Sequence, residues 1–411
     1  MVILIQALIL ALGLDHRFFA AEEGLLSVSV SEVVAYVVLG AMLIEILRGL
    51  RWGTPPTGIT PHPPGSTAMR VYVAWVILAA LTGWLMLSNS DGLHSLKDVV
   101  PGLILFAAIR FWVRSEEDLR RVLRGVAFTL LLLTALSFSQ FVFGGPHLNP
   151  MQDNSYDKFS ITGDSRIANP VVGTFASPNS FAVFFAPLFL LCWTGQAEFG
   201  QRRVGWIALG AMALALLLTQ AKLVFAVTVI TGIWAVGLTA FRVRPRGSMA
   251  VAVLVSTLVM MCLAIVALIV NEAVLPAGLT MGTMKGRLGL AAEGIHLLQQ
   301  FSDVAWIGGG IELYRELLPI SFHVHNEYLA QALMWGIPGA LLFTWILVRA
   351  CWTGRDIRWT TKLPVIATAL ILLVESAGGT QRAGMVFLIL GISMFEARRE
   401  PTTDFAAANW P

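Results

Sequence analysis

Twelve runs of apolar residues follow one another along this chain, and they decide what it can fold into. They fall at about 1–14, 31–47, 71–88, 98–113, 125–144, 175–194, 204–219, 222–240, 249–270, 326–348, 363–377 and 383–396. An α-helix of about 20 apolar residues spans the hydrocarbon layer of a bilayer. A soluble domain has too little polar surface to cover so many apolar faces. The runs therefore predict an all-α polytopic membrane protein with about 12 transmembrane helices, built as a single transmembrane domain over 1–411. Composition agrees, with 56% hydrophobic and only 13% charged residues. No segment alternates at period two, which argues against an outer-membrane barrel. Several runs are short for a straight crossing, so tilted or broken helices are expected among them.

The first run, MVILIQALILALGL, has the look of a signal-peptide core, with a weak Ala20-Ala21 site after it. It lacks a basic flank before the apolar stretch and is read as the first membrane helix. Cys192, Cys262 and Cys351 lie in or beside apolar runs and match no metal-ligand or disulfide spacing. They are expected to be small core residues.

The net charge of +3 does not point to a nucleic-acid partner, because the basic residues sort by loop. With the N-terminus in the cytoplasm, one side collects Arg48, Arg51 and Arg70, then Arg110, Arg114, Arg120, Arg121 and Arg124, then Arg202 and Arg203. The same side holds Arg242, Arg244 and Arg246, then Arg349, Arg355, Arg358 and Lys362, then Arg398 and Arg399. Each connection on that side carries at least two basic residues, as the positive-inside rule requires. Both termini then lie in the cytoplasm. The stretch 52–66 is a Pro/Gly-rich linker on that side. Residues 114–124 (RSEEDLRRVLR) read as a short amphipathic helix on the cytoplasmic surface, where anionic membrane lipids attract its arginines.

The opposite side has two long loops, 145–174 and 271–325. The second contains MKGRLGLAAEGIHLLQQF, an amphipathic helix with Leu288, Ala291, Ile295 and Leu298 on one stripe, expected to lie on the membrane surface and cover a cavity. No internal repeat relates the two halves of the chain.

Cations are scarce on this outer side, so each is a candidate. Lys222 sits at the outer end of a span with no acid nearby in sequence, Arg287 opens the amphipathic stretch, and Arg166 and Arg382 each precede a span. Each either snorkels to lipid phosphate or grips an anionic group such as a diphosphate. His325 stands just before a helix, whose N-terminus disfavours a charged imidazole and leaves it able to accept a proton. The plainer reading is a hydrogen-bonded structural histidine. His323, Asn326, Glu327 and Tyr328 surround it as orienting or acceptor-binding candidates, and Glu375 is expected to pair with Lys222 or Arg382 as a salt bridge between helices. No metal-ligand motif, P-loop or dinucleotide fingerprint is present, so neither metal nor cofactor is expected.

Three blocks carry a family resemblance. Gly173-Thr174-Phe175 precedes Ser177-Pro178-Asn179-Ser180-Phe181-Ala182; Leu218-Thr219-Gln220-Ala221-Lys222 closes one span and opens the next; and His325-Asn326 is followed by nine residues, Gly336, two residues and Gly339. Together they resemble the O-antigen ligase and polymerase superfamily of bacterial membrane glycosyltransferases, over most of the chain and most strongly from about 165 to 345. The third block fits the ligase pattern at every specified position. The second departs from it, with Lys222 where the family usually has arginine. The resemblance implies a GT-C-like fold and a metal-independent, inverting transfer at the periplasmic face. A glycan on undecaprenyl diphosphate would pass to a sugar hydroxyl of lipid A–core. By position, His325 would be the general base, and Arg287 and Lys222 would bind the diphosphate. A polymerase of the same superfamily is the alternative, and a 12-span secondary transporter is a more distant one.

Overall fold

Helix follows helix through this protein, and its outer surface is apolar as well as its core. The structure, a computed structural model, describes residues 1–14, 29–51, 66–87, 91–143, 174–175, 177–195, 202–219, 221–241, 247–270, 281–308, 325–352, 359–375 and 380–395. Among these residues the elements are α1 (Val2–Leu14), α2 (Val30–Arg51), α3 (Ser66–Leu87), α4 (Asp91–Trp112), α5 (Glu116–Phe143), α6 (Pro178–Thr194) and α7 (Arg202–Leu218). They continue as α8 (Lys222–Ala240), α9 (Gly247–Val270), α10 (Met281–Gln300), α11 (Ser302–Ile307), α12 (Glu327–Trp352), α13 (Trp359–Val374) and α14 (Thr380–Ser393). A helix occupies each of the twelve segments expected to be apolar, and α10 covers the amphipathic stretch. By length and composition, three helices suffice to cross a membrane: Val30–Gly49, Glu116–Phe143 and Glu327–Trp352; eight further apolar helices are shorter.

The centre of the bundle is made by α1, α6, α13 and α14. Ile5, Leu8, Phe181, Phe185, Leu363, Ile366, Leu370 and Leu388 are all buried there. These helices are apolar on every side, which only a fully enclosed or lipid-bathed helix tolerates. Around them, α2, α3, α5, α7, α8 and α12 turn large apolar side chains outward, among them Leu47, Leu85, Phe128, Ile207, Ile233 and Leu341. Water would not tolerate an outer surface of this kind, and lipid does. The buried hydroxyls of Thr129, Thr134, Ser137, Thr228, Thr231 and Thr368 each donate to the carbonyl four residues back on their own helix. That satisfies a polar group where no water can.

One end of the bundle is closed by cations on helix C-termini. Lys362, 1% exposed, donates to the Ala350 carbonyl at 2.6 Å, to the Ser393 carbonyl at 3.2 Å and to Ser393 Oγ at 3.1 Å. Arg110 donates to the Met394 carbonyl. These carbonyls are orphans of the last helical turns, and a cation there satisfies them and opposes the helix dipole.

Two expectations need correction here. Residues 114–124 do not form a separate surface helix: from Glu116 onward they are the first turns of α5. Ser115 and Asp118 cap its start reciprocally, Asp118 N–H donating to Ser115 Oγ at 3.1 Å and Ser115 N–H to Asp118 Oδ2 at 3.2 Å. No breaker separates that turn from the apolar run, so extending one helix costs less than nucleating two. The second correction concerns α12, which is not one straight span. Gly336 breaks it with φ 74° and ψ 168°. The rings of Tyr328 and Phe343 lie 6.1 Å apart. In a straight helix their Cα atoms would be separated by about 22 Å, more than two such side chains can bridge.

Heights follow from the Lys362 pin. Gly336 lies about 21 Å along α12 from Ala350, and Glu375 lies about 20 Å along α13 from Lys362. Since Lys362 bonds Ala350, the break and Glu375 stand at nearly the same level. Residues 327–335 therefore run across the end of the bundle rather than down into it.

Candidate functional site

The polar residues at that end are brought together by two helix boundaries and the second turn of α10. His325 precedes α12, Glu375 follows α13, and Arg287 lies in α10. Glu375 is the centre. Its carboxylate, 4% exposed, accepts from Arg287 Nη2 at 2.5 Å and meets His325 Nδ1 at 3.0 Å. Arg287 also donates from Nη1 to the Val374 carbonyl at 2.7 Å. The guanidinium thus grips both the last carbonyl of α13 and the carboxylate just beyond it. A carboxylate only accepts, so Nδ1 of His325 carries the hydrogen and donates. In the neutral ring this tautomer keeps the lone pair on Nε2, and the side chain is 31% exposed.

His325 is held at this point by Asn326. The Asn326 side-chain oxygen accepts from the Leu329 N–H at 2.9 Å, which caps α12, and its Nδ2 donates to the Leu373 carbonyl at 3.1 Å. Tyr328 Oη donates to the Ala369 carbonyl at 2.9 Å. The side chains of His325, Asn326 and Tyr328 thereby stitch the start of α12 to α13. Glu327 turns the other way. Its Oε1 accepts from Gln331 Nε2 at 2.7 Å, and Gln331 Oε1 accepts from Tyr72 Oη of α3 at 2.9 Å. All three are buried. Arg382, in the first turn of α14, lies within electrostatic reach of Glu327, Glu375 and Asp98, and Thr380 donates to Asp98 at 3.0 Å.

The spacing of the His-Asn-x9-Gly-x-x-Gly block now has a physical account. The nine residues 327–335 are the cross-running half of α12. Gly336 ends it at a positive φ, where a side chain would strain the backbone and overlap the Trp306 carbonyl oxygen. Gly308, with φ 83°, faces it: a Cβ there would overlap the Met334 carbonyl oxygen. Two backbones thus cross in direct contact where α11 ends. The Trp335 carbonyl, freed by the break, accepts from Trp75 Nε1 at 2.8 Å. A Cβ on Gly339 would lie 2.5 Å from Trp335 Cβ and 3.4 Å from the Trp75 indole. The first block is likewise a helix start: Ser177 caps α6, Pro178 fills its first turn, and Thr174 donates to the Gly13 carbonyl of α1 at 2.6 Å.

Other expected residues fall differently. Lys222 opens α8 and is exposed, and the hydrogen bonds that build the His325–Glu375–Arg287 cluster do not involve it. Arg166 and His323 lie outside the described residues. Glu375, expected to pair with Lys222 or Arg382, makes direct contacts with Arg287 and His325 and also lies within electrostatic reach of Arg382. Fifty residues separate Glu375 from His325, and nothing local in sequence marks the contact. The signal present was an acid at the end of an otherwise apolar helix. The helix-end argument for His325 was incomplete for the same reason, since a carboxylate also faces the ring. The amphipathic stripe is rotated as well. α10 packs through Leu290, Gly294, Leu297 and Leu298, while Ile295 is 50% exposed. Gly294 permits this approach, with a Cβ there reaching 3.0 Å from Leu329.

No group of metal-ligating side chains occurs among the described residues. No protein-family model matches the chain, and no curated protein matches it. Fold and site together define an all-helical protein of membrane character, with a histidine–carboxylate–arginine cluster at one end of its bundle.

Proposed function

We propose that this protein is a membrane glycosyltransferase that moves a glycan from undecaprenyl diphosphate to a sugar hydroxyl of lipid A–core, as an O-antigen ligase. The observation that carries the reading is the contact of Glu375 with both His325 Nδ1, at 3.0 Å, and Arg287, at 2.5 Å. It gives a base with a fixed tautomer beside a fixed cation, at the boundary of an apolar bundle.

In this reading α1–α9 and α12–α14 are the twelve membrane helices, both termini are cytoplasmic, and the cluster faces the periplasm of a bacterial inner membrane. The acceptor hydroxyl oxygen attacks the anomeric carbon of the donor sugar. Its proton passes to His325 Nε2, and Glu375 holds the resulting imidazolium. The bond from the anomeric carbon to the diphosphate oxygen breaks on the opposite face, inverting the centre. The leaving undecaprenyl diphosphate takes the electron pair, and Arg287 and Lys222 offset its growing charge. The chemistry needs no nucleotide, because the donor is already activated.

The test uses purified protein with undecaprenyl-diphosphate-linked glycan and lipid A–core, without nucleotide or added metal, and products resolved by gel and mass spectrometry. Glycan joined to lipid A–core supports the ligase. Longer chains still on the undecaprenyl carrier make the protein a polymerase. No product from competent substrates rejects both. His325→Ala is expected to abolish transfer while expression and detergent stability stay near normal.

A further inference from the structure

Among the described residues, two contacts of different kinds hold α10 to the molecule. One is a small apolar cluster, Leu297 with Leu333, joined by Leu290, Leu298, Phe301 and Leu329, and separate from the large core of the bundle. The other is the polar grip of Arg287 on Glu375 and the Val374 carbonyl. Elsewhere along its described side chains, Glu293, Ile295, His296, Gln299 and Gln300 are exposed. Few buried apolar contacts mean low local stability, so this helix separates from its neighbours before the bundle yields.

α11 is anchored in the opposite way. Its end is pinned where the Gly308 and Gly336 backbones cross, and neither glycine has room for a methyl group. The two helices meet at Phe301, the one residue between them. A fixed α11, a loosely packed α10 and a junction between them have the parts of a hinge. The half of α10 remote from Phe301 carries Arg287, which closes on Glu375 beside His325. α10 also runs alongside residues 327–335 in the same direction: Arg287 meets Glu375 next to His325, Gly294 meets Leu329 and Leu333, and Gly308 meets Met334. It therefore covers the half-helix that His325 begins.

We propose that α10 is a gate over the His325 site, hinged at Phe301 and latched shut by Arg287 on Glu375 and the Val374 carbonyl. The inference rests on the reading of His325 as the centre of the site, and it adds that the carboxylate positioning His325 also sets when the site is open. Opening separates Arg287 from Glu375 and uncovers residues 327–335. Closing restores the cation beside the base and covers residues 327–335 again.

Hydrogen exchange read by mass spectrometry on the full chain in detergent tests the gate without any substrate. Glu375→Gln keeps the shape of the side chain and weakens the latch. Amides of 281–300 are expected to exchange at least tenfold faster in it than in the wild type, with those of 337–352 unchanged. A Gly294→Cys/Leu333→Cys pair, in a chain whose three cysteines are replaced by alanine, is expected to slow 281–300 at least tenfold when oxidised. Unchanged exchange of 281–300 in Glu375→Gln overturns the proposal, and so does acceleration that spreads equally into 337–352. The oxidised pair is also expected to lose at least tenfold in glycan transfer and to regain it on reduction; transfer at the reduced rate by the oxidised form overturns the gate. If exchange behaves as expected but neither form transfers glycan, the gate stands and the glycosyltransferase reading fails.

Discussion

Replacing Glu375 by alanine removes the carboxylate on which both His325 and Arg287 depend. The size of the effect follows from the contacts. Two charge-assisted hydrogen bonds vanish, each contributing about 1.5–3 kcal/mol. Arg287 is left only 17% exposed with its counter-charge gone. Breaking one partner of a buried pair costs about 3–5 kcal/mol. The Val374 carbonyl still accepts from Arg287, which places the loss near the lower end, about 3 kcal/mol. Glu375→Gln keeps an acceptor and loses mainly charge, so about 1–2 kcal/mol is expected. Denaturant unfolding in mild detergent measures both, and a cycle with Arg287→Met isolates the pair. Turnover should fall further than stability suggests, by about 10²–10⁴, because the imidazole loses its orienting acceptor as well as its charge partner. Stability within about 0.5 kcal/mol of wild type in Glu375→Ala, with normal turnover, would refute both the ion-pair energetics and the role given to His325.

Other outcomes follow from single features. Gly336→Ala should destabilise the protein by about 2–4 kcal/mol, through a positive φ and an overlap with the Trp306 carbonyl; unchanged thermal unfolding would mean that the half-helix is not built on this crossing. Lys222→Arg should keep substantial transfer activity and Lys222→Ala should not, since charge rather than geometry is asked of this exposed position; equal activity in the two removes Lys222 from the anion site. Lys362→Met should cost about 2–4 kcal/mol, because the Ala350 and Ser393 carbonyls lose their shared donor, and it should leave the affinity for the donor substrate unaltered in kinetic assays. Asn326→Ala should lose about 1 kcal/mol of capping and lower turnover with it, as the turn that carries His325 loosens from Leu373.

The helices themselves were legible in the chain. Apolar runs of near-spanning length have one low-energy state in lipid, a helix whose backbone bonds close internally, and that state is dictated locally. The candidates His325, Asn326, Tyr328 and Arg287 were legible for a related reason: a polar residue beside an apolar run stands out against its neighbours. What a residue touches is a different matter. The Glu375 contacts join segments 50 and 88 residues away, and no periodicity records such a meeting. The amphipathic stripe of α10 was misjudged because a glycine, the least hydrophobic-looking choice, marks the packed face where close approach is needed. The break in α12 was hidden for a similar reason. Gly336 and Pro338 inside an apolar run are compatible with a mild kink or a sharp turn, and it is the opposing backbone at Trp306–Gly308 that selects the turn. Sequence determined which segments are helical and which residues sit at their ends. Tertiary structure alone decided that one of those helices turns across the bundle, and that a single carboxylate holds the histidine and the arginine together, because both depend on which backbone and which charge arrive from elsewhere in the chain.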